Sequence, residues 1–166
     1  MFPRFYALSR VRPLIALCAA VSVVGLAGCG MMQPAKPAAA PMAAASNLVT
    51  LSTKLSGANE VPANGSVGTG TVDAVFNKDT RVLRWKISYV GMTGPATMGH
   101  FHGPAATTAN AGVVVPWATT MSSPMEGSAT LTPTQVGDLL AGFWYANVHT
   151  AAFPGGELRG QMMIAR

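Results

Sequence analysis

The sequence predicts an all-β domain, an antiparallel β-sandwich or Greek-key barrel of about eight strands with one short helix. Short segments of alternating apolar and polar residues follow one another, separated by Gly, Pro, Asn and Asp, which is the spacing of sandwiches and barrels. The clearest is Arg81 to Val90. Leu83, Trp85, Ile87 and Tyr89 fall on one face and Arg84, Lys86 and Ser88 on the other, so a period of two holds throughout and one face is buried. A capping box marks the helix: Thr132 as N-cap, Pro133 at the first helical position and Gln135 at the third.

The remaining elements follow the same reasoning. Gly68 to Phe76 alternates more loosely and is joined to the clear strand by Asn77-Lys78-Asp79-Thr80, a turn-rich link suited to an antiparallel hairpin. Further strands are expected at Leu48–Leu55, Met98–His102, Gly112–Trp117, Gly127–Leu131, Phe143–His149 and Glu157–Ile164. The helix places Val136, Leu139 and Leu140 on an apolar face and ends at Gly142.

The domain begins only after a leader and a linker. Arg4, Arg10 and Arg12 precede an uncharged run from Pro13 to Gly28 rich in Leu, Ala and Val, the layout of a signal peptide over residues 1–28. The run is shorter than the roughly 20 apolar residues that span a bilayer as a helix. It ends in Leu26-Ala27-Gly28-Cys29, which resembles the lipobox of bacterial lipoprotein precursors. Lipidation of Cys29 is therefore expected, with membrane attachment through its acyl chains, since two or more chains anchor stably where one is marginal. Gly30 stands where the inner-membrane retention signal of many Gram-negative bacteria places Asp, so the expected location is the cell envelope, with the outer membrane favoured. Residues 29–46 then read as an Ala/Pro-rich tether. Residues 47–166 are long enough to form one domain with its own core.

Charge and cysteine usage exclude several function classes. Of the eleven basic residues three lie in the leader, which leaves eight against six acidic groups, a net +2 in place of the formal +5. The basic residues form no run, so nothing suggests a nucleic-acid partner. Cys18 lies in the leader and Cys29 is the lipidation site, so the domain itself carries no thiol for redox chemistry. The carboxylates form no close pair, and no G-x-S-x-G elbow, P-loop or H-E-x-x-H helix is present. No enzyme activity is expected.

The three histidines are the residues that point to chemistry. In Gly99-His100-Phe101-His102-Gly103, a strand projects His100 and His102 to one face and Phe101 to the other, so the two imidazoles can converge on one ion. Met98 shares their face and offers a thioether. His149 stands in Asn147-Val148-His149-Thr150, with Tyr145 and Asn147 on its own face, able to orient a ligand. Glu157 and Arg159 alternate on one face of the last strand and are read as a structural pair or polar cluster near His149. Neutral imidazoles suit Cu(II) or Zn(II); copper is favoured on intrinsic affinity, and Met98 favours Cu(I). A lone histidine is more often a packing or hydrogen-bonding residue. Three in one region make a metal site a competing reading, provided that His149 meets the other two. Nine methionines follow the leader, dispersed along the chain, and apart from Met98 they are read as packing.

Four motifs in order carry a family resemblance. They are Leu55-Ser56-Gly57-Ala58-Asn59-Glu60-Val61-Pro62, Gly99-His100-Phe101-His102-Gly103, Tyr145-Ala146-Asn147-Val148-His149-Thr150 and Pro154-Gly155-Gly156-Glu157-Leu158-Arg159-Gly160-Gln161. Together they resemble the CHRD family, named after repeats in animal chordin. Ala63 stands where a second proline often follows in that pattern. The resemblance implies a β-sandwich-like domain without an assigned catalytic role. It also lends weight to an alternative function, a structural module of the envelope that holds a protein or polysaccharide partner. A weaker likeness is to copper/zinc superoxide dismutase, but that enzyme uses more histidines and an aspartate, and three histidines do not furnish both of its sites.

Overall fold

The alternation read in the sequence becomes the inside and outside of one curled antiparallel sheet. The computed structural model describes residues 46–117 and 121–165. The leader, the tether and Cys29 lie outside them. The strands are β1 (Leu48–Ser56), β2 (Thr69–Asn77), β3 (Val82–Val90), β4 (Ala96–His102), β5 (Val113–Pro116), β6 (Met125–Thr130), β7 (Tyr145–Thr150), β8 (Leu158–Gln161) and β9 (Met163–Ile164). They are ordered β5-β4-β7-β8-β1-β2-β3-β6, with β9 added to β1. This eight-strand path forms a nearly closed barrel-like sheet.

The β1–β2–β3 meander is the most regular part, with unbroken registers of nine residue pairs between neighbours. Its second turn is built by Asn77, whose Oδ1 accepts from the backbone amides of Asp79 and Thr80, each at 2.9 Å. Arg81, at φ 57°, then takes the left-handed conformation that returns the chain into β3. Along β3, Leu83, Trp85 and Ile87 are buried while Arg84 and Lys86 are exposed, as the alternation predicts.

The core fills the inside of the curl. Leu51, Leu55, Val72, Phe76, Leu83, Ile87, Val148 and Leu158 are all essentially inaccessible, each contributing about 1.5–3 kcal/mol through burial. Phe101 sits among three indoles, with ring centroids 5.2 Å from Trp85, 5.3 Å from Trp117 and 5.9 Å from Trp144. Helix α1 (Pro133–Leu140) forms with its capping box in place and sends Leu139 into this core.

The sequence reads the last strand as continuous from Glu157 to Ile164, and here the structure differs. Glu157 precedes β8, and the strand breaks at Met162. That side chain is fully buried, and its amide donates to Trp144 O at 2.8 Å. Up to the break β8 lies between β7 and β1, meeting β1 at Ser56–Arg159; beyond it β9 pairs only β1, at Leu51 and Ser52.

Strand β7 positions the functional face. All six of its residues are buried, Ala146 and Val148 in the core and Tyr145, Asn147 and His149 on the opposite face. That second face of the sheet lies under the loops at residues 57–68, 103–112 and 151–157, which hydrogen-bond to one another and to it.

Gly99 permits this arrangement on β4, because a Cβ there would press into the six-membered ring of Trp117. Gly99→Ala is expected to lower stability by about 1–3 kcal/mol through overpacking, measured by urea denaturation.

Candidate metal centre

The three histidines meet because β4 and β7, distant in sequence, are neighbours in the sheet. Their register pairs Met98 with His149, His100 with Asn147 and His102 with Tyr145. Residues directly opposite on antiparallel strands share a face. His100, His102 and His149 therefore stand together on the outer face of the sheet. Ring centroids are 5.4 Å apart for His100 and His102, 5.2 Å for His100 and His149, and 6.4 Å for His102 and His149.

One ligand nitrogen from each ring lies within 4.8 Å of the others. A point can then be placed no more than about 2.8 Å from all three, against metal–nitrogen distances of about 2.0–2.1 Å. Three buried nitrogens lack a hydrogen-bond partner: His100 Nδ1, His102 Nε2 and His149 Nε2.

Two of the rings are fixed by the nitrogen on their far side. His102 Nδ1 lies 3.0 Å from Ala111 O, and His149 Nδ1 lies 3.0 Å from Pro154 O. A carbonyl oxygen can only accept, so each Nδ1 carries the hydrogen and each Nε2 presents a lone pair. All three imidazoles are held below their ordinary pKa. Burial is the main cause; the charges of His149 and His102 add to it at His100, while the loop carbonyls partly oppose it at His102 and His149. Uncharged rings with converging lone pairs can ligate a transition metal.

The other residues singled out in the sequence surround this group. Met98 is about half exposed and directly across from His149. Tyr145 stacks on His102, with centroids 4.8 Å apart and planes 3° from parallel. Its hydroxyl accepts from Ala111 N at 3.1 Å and donates to Ala111 O at 3.3 Å. The Arg159 guanidinium lies 3.6 Å from the Tyr145 ring centroid.

Glu157 and Arg159 are both buried, and no ion pair joins them among the described residues. Glu157 instead accepts from Ser66 Oγ at 2.7 Å, Thr93 N and Oγ1 at 2.8 Å each, and Thr150 Oγ1 at 2.5 Å. Burial raises its pKa, but these bonds outweigh it and keep the carboxyl below its ordinary value.

Glu60 is the residue that sequence reasoning missed. It is buried, and its Oε1 accepts at 2.6 Å from Nδ2 of Asn147, the residue paired with His100 in the register. Gly156, at φ 134°, lies so close that a Cβ there would meet both groups. Its only sequence signal is a lone carboxylate amid the small and apolar residues of Gly57-Ala58-Asn59-Glu60-Val61-Pro62; a 3-10 turn over Gly57–Asn59 turns it inward.

Burial raises the Glu60 pKa to about 7, against the lowering effects of Arg159, the Asn147 bond and the Val61 backbone. The folded state therefore holds this proton more tightly than the unfolded chain, and Glu60 stabilises the fold at low pH. That contribution is lost as pH rises from about 4.5 to about 7. Relative to the native protein, Glu60→Gln is expected to gain up to about 3 kcal/mol across this window. Denaturant melts of both proteins in chelator at pH 4.5 and 8 check it; a constant difference contradicts the assignment.

The sequence pattern of the CHRD domain matches residues 51–162, well over half of the chain and all three histidines. No curated protein and no solved structure matches it. With the four motifs brought to one sheet face and its covering loops, the chain belongs to the CHRD domain family.

Proposed function

We propose that this CHRD domain is a metal-binding module of the bacterial cell envelope, holding one transition-metal ion through His100, His102 and His149 without turnover. The observation that carries the reading is that one nitrogen from each of the three imidazoles lies within 4.8 Å of the others, while each ring also has a buried nitrogen without a hydrogen-bond partner. Leaving a polar atom buried and unpaired costs about 1–3 kcal/mol, and an ion at their centre satisfies all three at once. Copper is the favoured ion, because imidazole sites follow the general affinity order that peaks at Cu(II). Zinc is the alternative. Met98, across from His149, supplies a soft thioether suited to Cu(I).

The absence of paired carboxylates and of an activated nucleophile from the motifs of the sequence supports binding without catalysis. Lipid on Cys29 would hold the domain to a membrane, the outer one favoured, through the tether at residues 30–46.

The second reading is a structural or interaction module that takes a protein or polysaccharide partner. It draws on the Glu157, Asn147 and Arg159 hydrogen bonds, which join strands to loops whether or not a metal binds.

Three substitutions separate the two readings. His100→Ala, His102→Ala and His149→Ala are each expected to abolish stoichiometric Cu(II) and Zn(II) binding in titrations of residues 47–166, while circular dichroism still reports the β-fold. Unchanged affinity in all three variants removes the metal reading. For the anchor, Cys29→Ser should move the full-length protein from the membrane fraction to the soluble one; retention in the membrane argues against lipidation.

A further inference from the structure

Arg159 is 1% exposed and forms no ion pair within 4.0 Å among the described residues, although it feels the charge of Glu60. Instead its guanidinium is spread over one loop: Nη1 donates to Asn110 Oδ1 at 2.7 Å, and Nη2 donates to Ala109 O at 2.7 Å and Ala106 O at 3.4 Å. A buried cation is normally paired with an anion. Here the direct hydrogen bonds go instead to three neutral acceptors from five consecutive residues, with Glu60 acting only from a distance, and they indicate that this side chain organises the loop.

The next residue in that loop is Ala111, whose carbonyl accepts from His102 Nδ1. Tyr145 ties the same residue down through its hydroxyl, while its ring lies between the guanidinium and the His102 imidazole. His149 draws its equivalent carbonyl, Pro154 O, from a different loop. That loop is held by Asn64, which donates to Gly156 O and Glu157 O at 3.1 Å each, and by the hydroxyls on Glu157.

We infer that Arg159 is a positioning residue of the three-histidine centre: by fixing the 106–111 loop it holds the Ala111 carbonyl on His102 Nδ1 and so keeps the His102 Nε2 lone pair free for an ion. The inference deepens the metal-binding reading and rests on it for the effect on affinity. The effect on the tautomer stands by itself. Without the Ala111 acceptor, His102 is free to carry its hydrogen on Nε2, its buried unpartnered nitrogen, and that form offers no lone pair to the centre. Such an outer contact to a metal ligand is ordinarily worth about tenfold to a hundredfold in affinity.

The test compares native protein with Arg159→Met and Tyr145→Phe. Tyr145→Phe retains the ring between Arg159 and His102 and removes only the hydroxyl, so it serves if Arg159→Met fails to fold. Imidazole nitrogen shifts are read by NMR in chelator, and Zn(II) affinity is measured separately.

In the native protein His102 and His149 should both be Nδ1–H tautomers. In Arg159→Met, His102 should become a mixture while His149 is unchanged, with Zn(II) binding about tenfold to a hundredfold weaker; Tyr145→Phe should shift His102 in the same direction by less. A His102 tautomer unchanged in both variants overturns the inference, as does an equal loss of order at His102 and His149, which marks general loosening. If the native protein binds no zinc, the metal reading fails, and the tautomer comparison alone still decides the role of Arg159.

Discussion

Burial of β7 on both faces is the constraint on which the rest of the structure depends. A strand with one face in the core ordinarily leaves its alternate residues to water. Here those residues are Tyr145, Asn147 and His149, and loops cover them. Each polar group on that face therefore needs a partner from the protein. Asn147 finds Glu60, Tyr145 finds Ala111, and His149 finds Pro154 at one nitrogen. The loops are held down by the same bonds that satisfy the strand, so the covering and the polar face depend on each other.

Local features of the sequence carry far into the structure. The Arg81–Val90 alternation, the Asn77 turn and the Thr132–Gln135 capping box each involve residues within one element or one turn, and each forms as expected. The last strand does not, because its pattern of apolar residues continues through Met162 and gives no sign that the chain leaves β7 there while staying beside β1. That switch depends on a carbonyl of Trp144, which no local pattern reveals.

The candidate site divides in the same way. That His100 and His102 share a face follows from the strand period alone. Their meeting with His149 depends on β4 and β7 being adjacent although 42 residues lie between His102, the end of β4, and Tyr145, the start of β7, and spacing cannot establish that. Glu60 and the loop carbonyls of Ala111 and Pro154 were not visible for the same reason. Backbone acceptors carry no residue signature, and a carboxylate in a turn ordinarily reads as solvated. Arg159 was visible as a residue of interest, read with Glu157 as a pair or a polar cluster; the spacing could not choose between these, because the neutral partners that each side chain takes come from distant loops.

An unpartnered buried nitrogen is not by itself a sign of function, since the indole Nε1 atoms of Trp85, Trp117 and Trp144 also lack partners. Those atoms are donors attached to large apolar rings, and the burial of each ring, worth several times the cost of one weak donor left unpaired, explains them. The histidines differ in two respects. Their free nitrogens on His102 and His149 are acceptors by virtue of the loop carbonyls, and all three rings turn a nitrogen toward one centre. Lone pairs brought together, as those of His102 and His149 are, repel, and a purely structural face would be better served by pairing them with donors. An ion that binds only the folded domain returns about 2.7 kcal/mol at a hundred times its dissociation constant, comparable to the cost of the orphaned atoms. The arrangement is thus unfavourable for a fold alone and favourable for a fold that holds a cation.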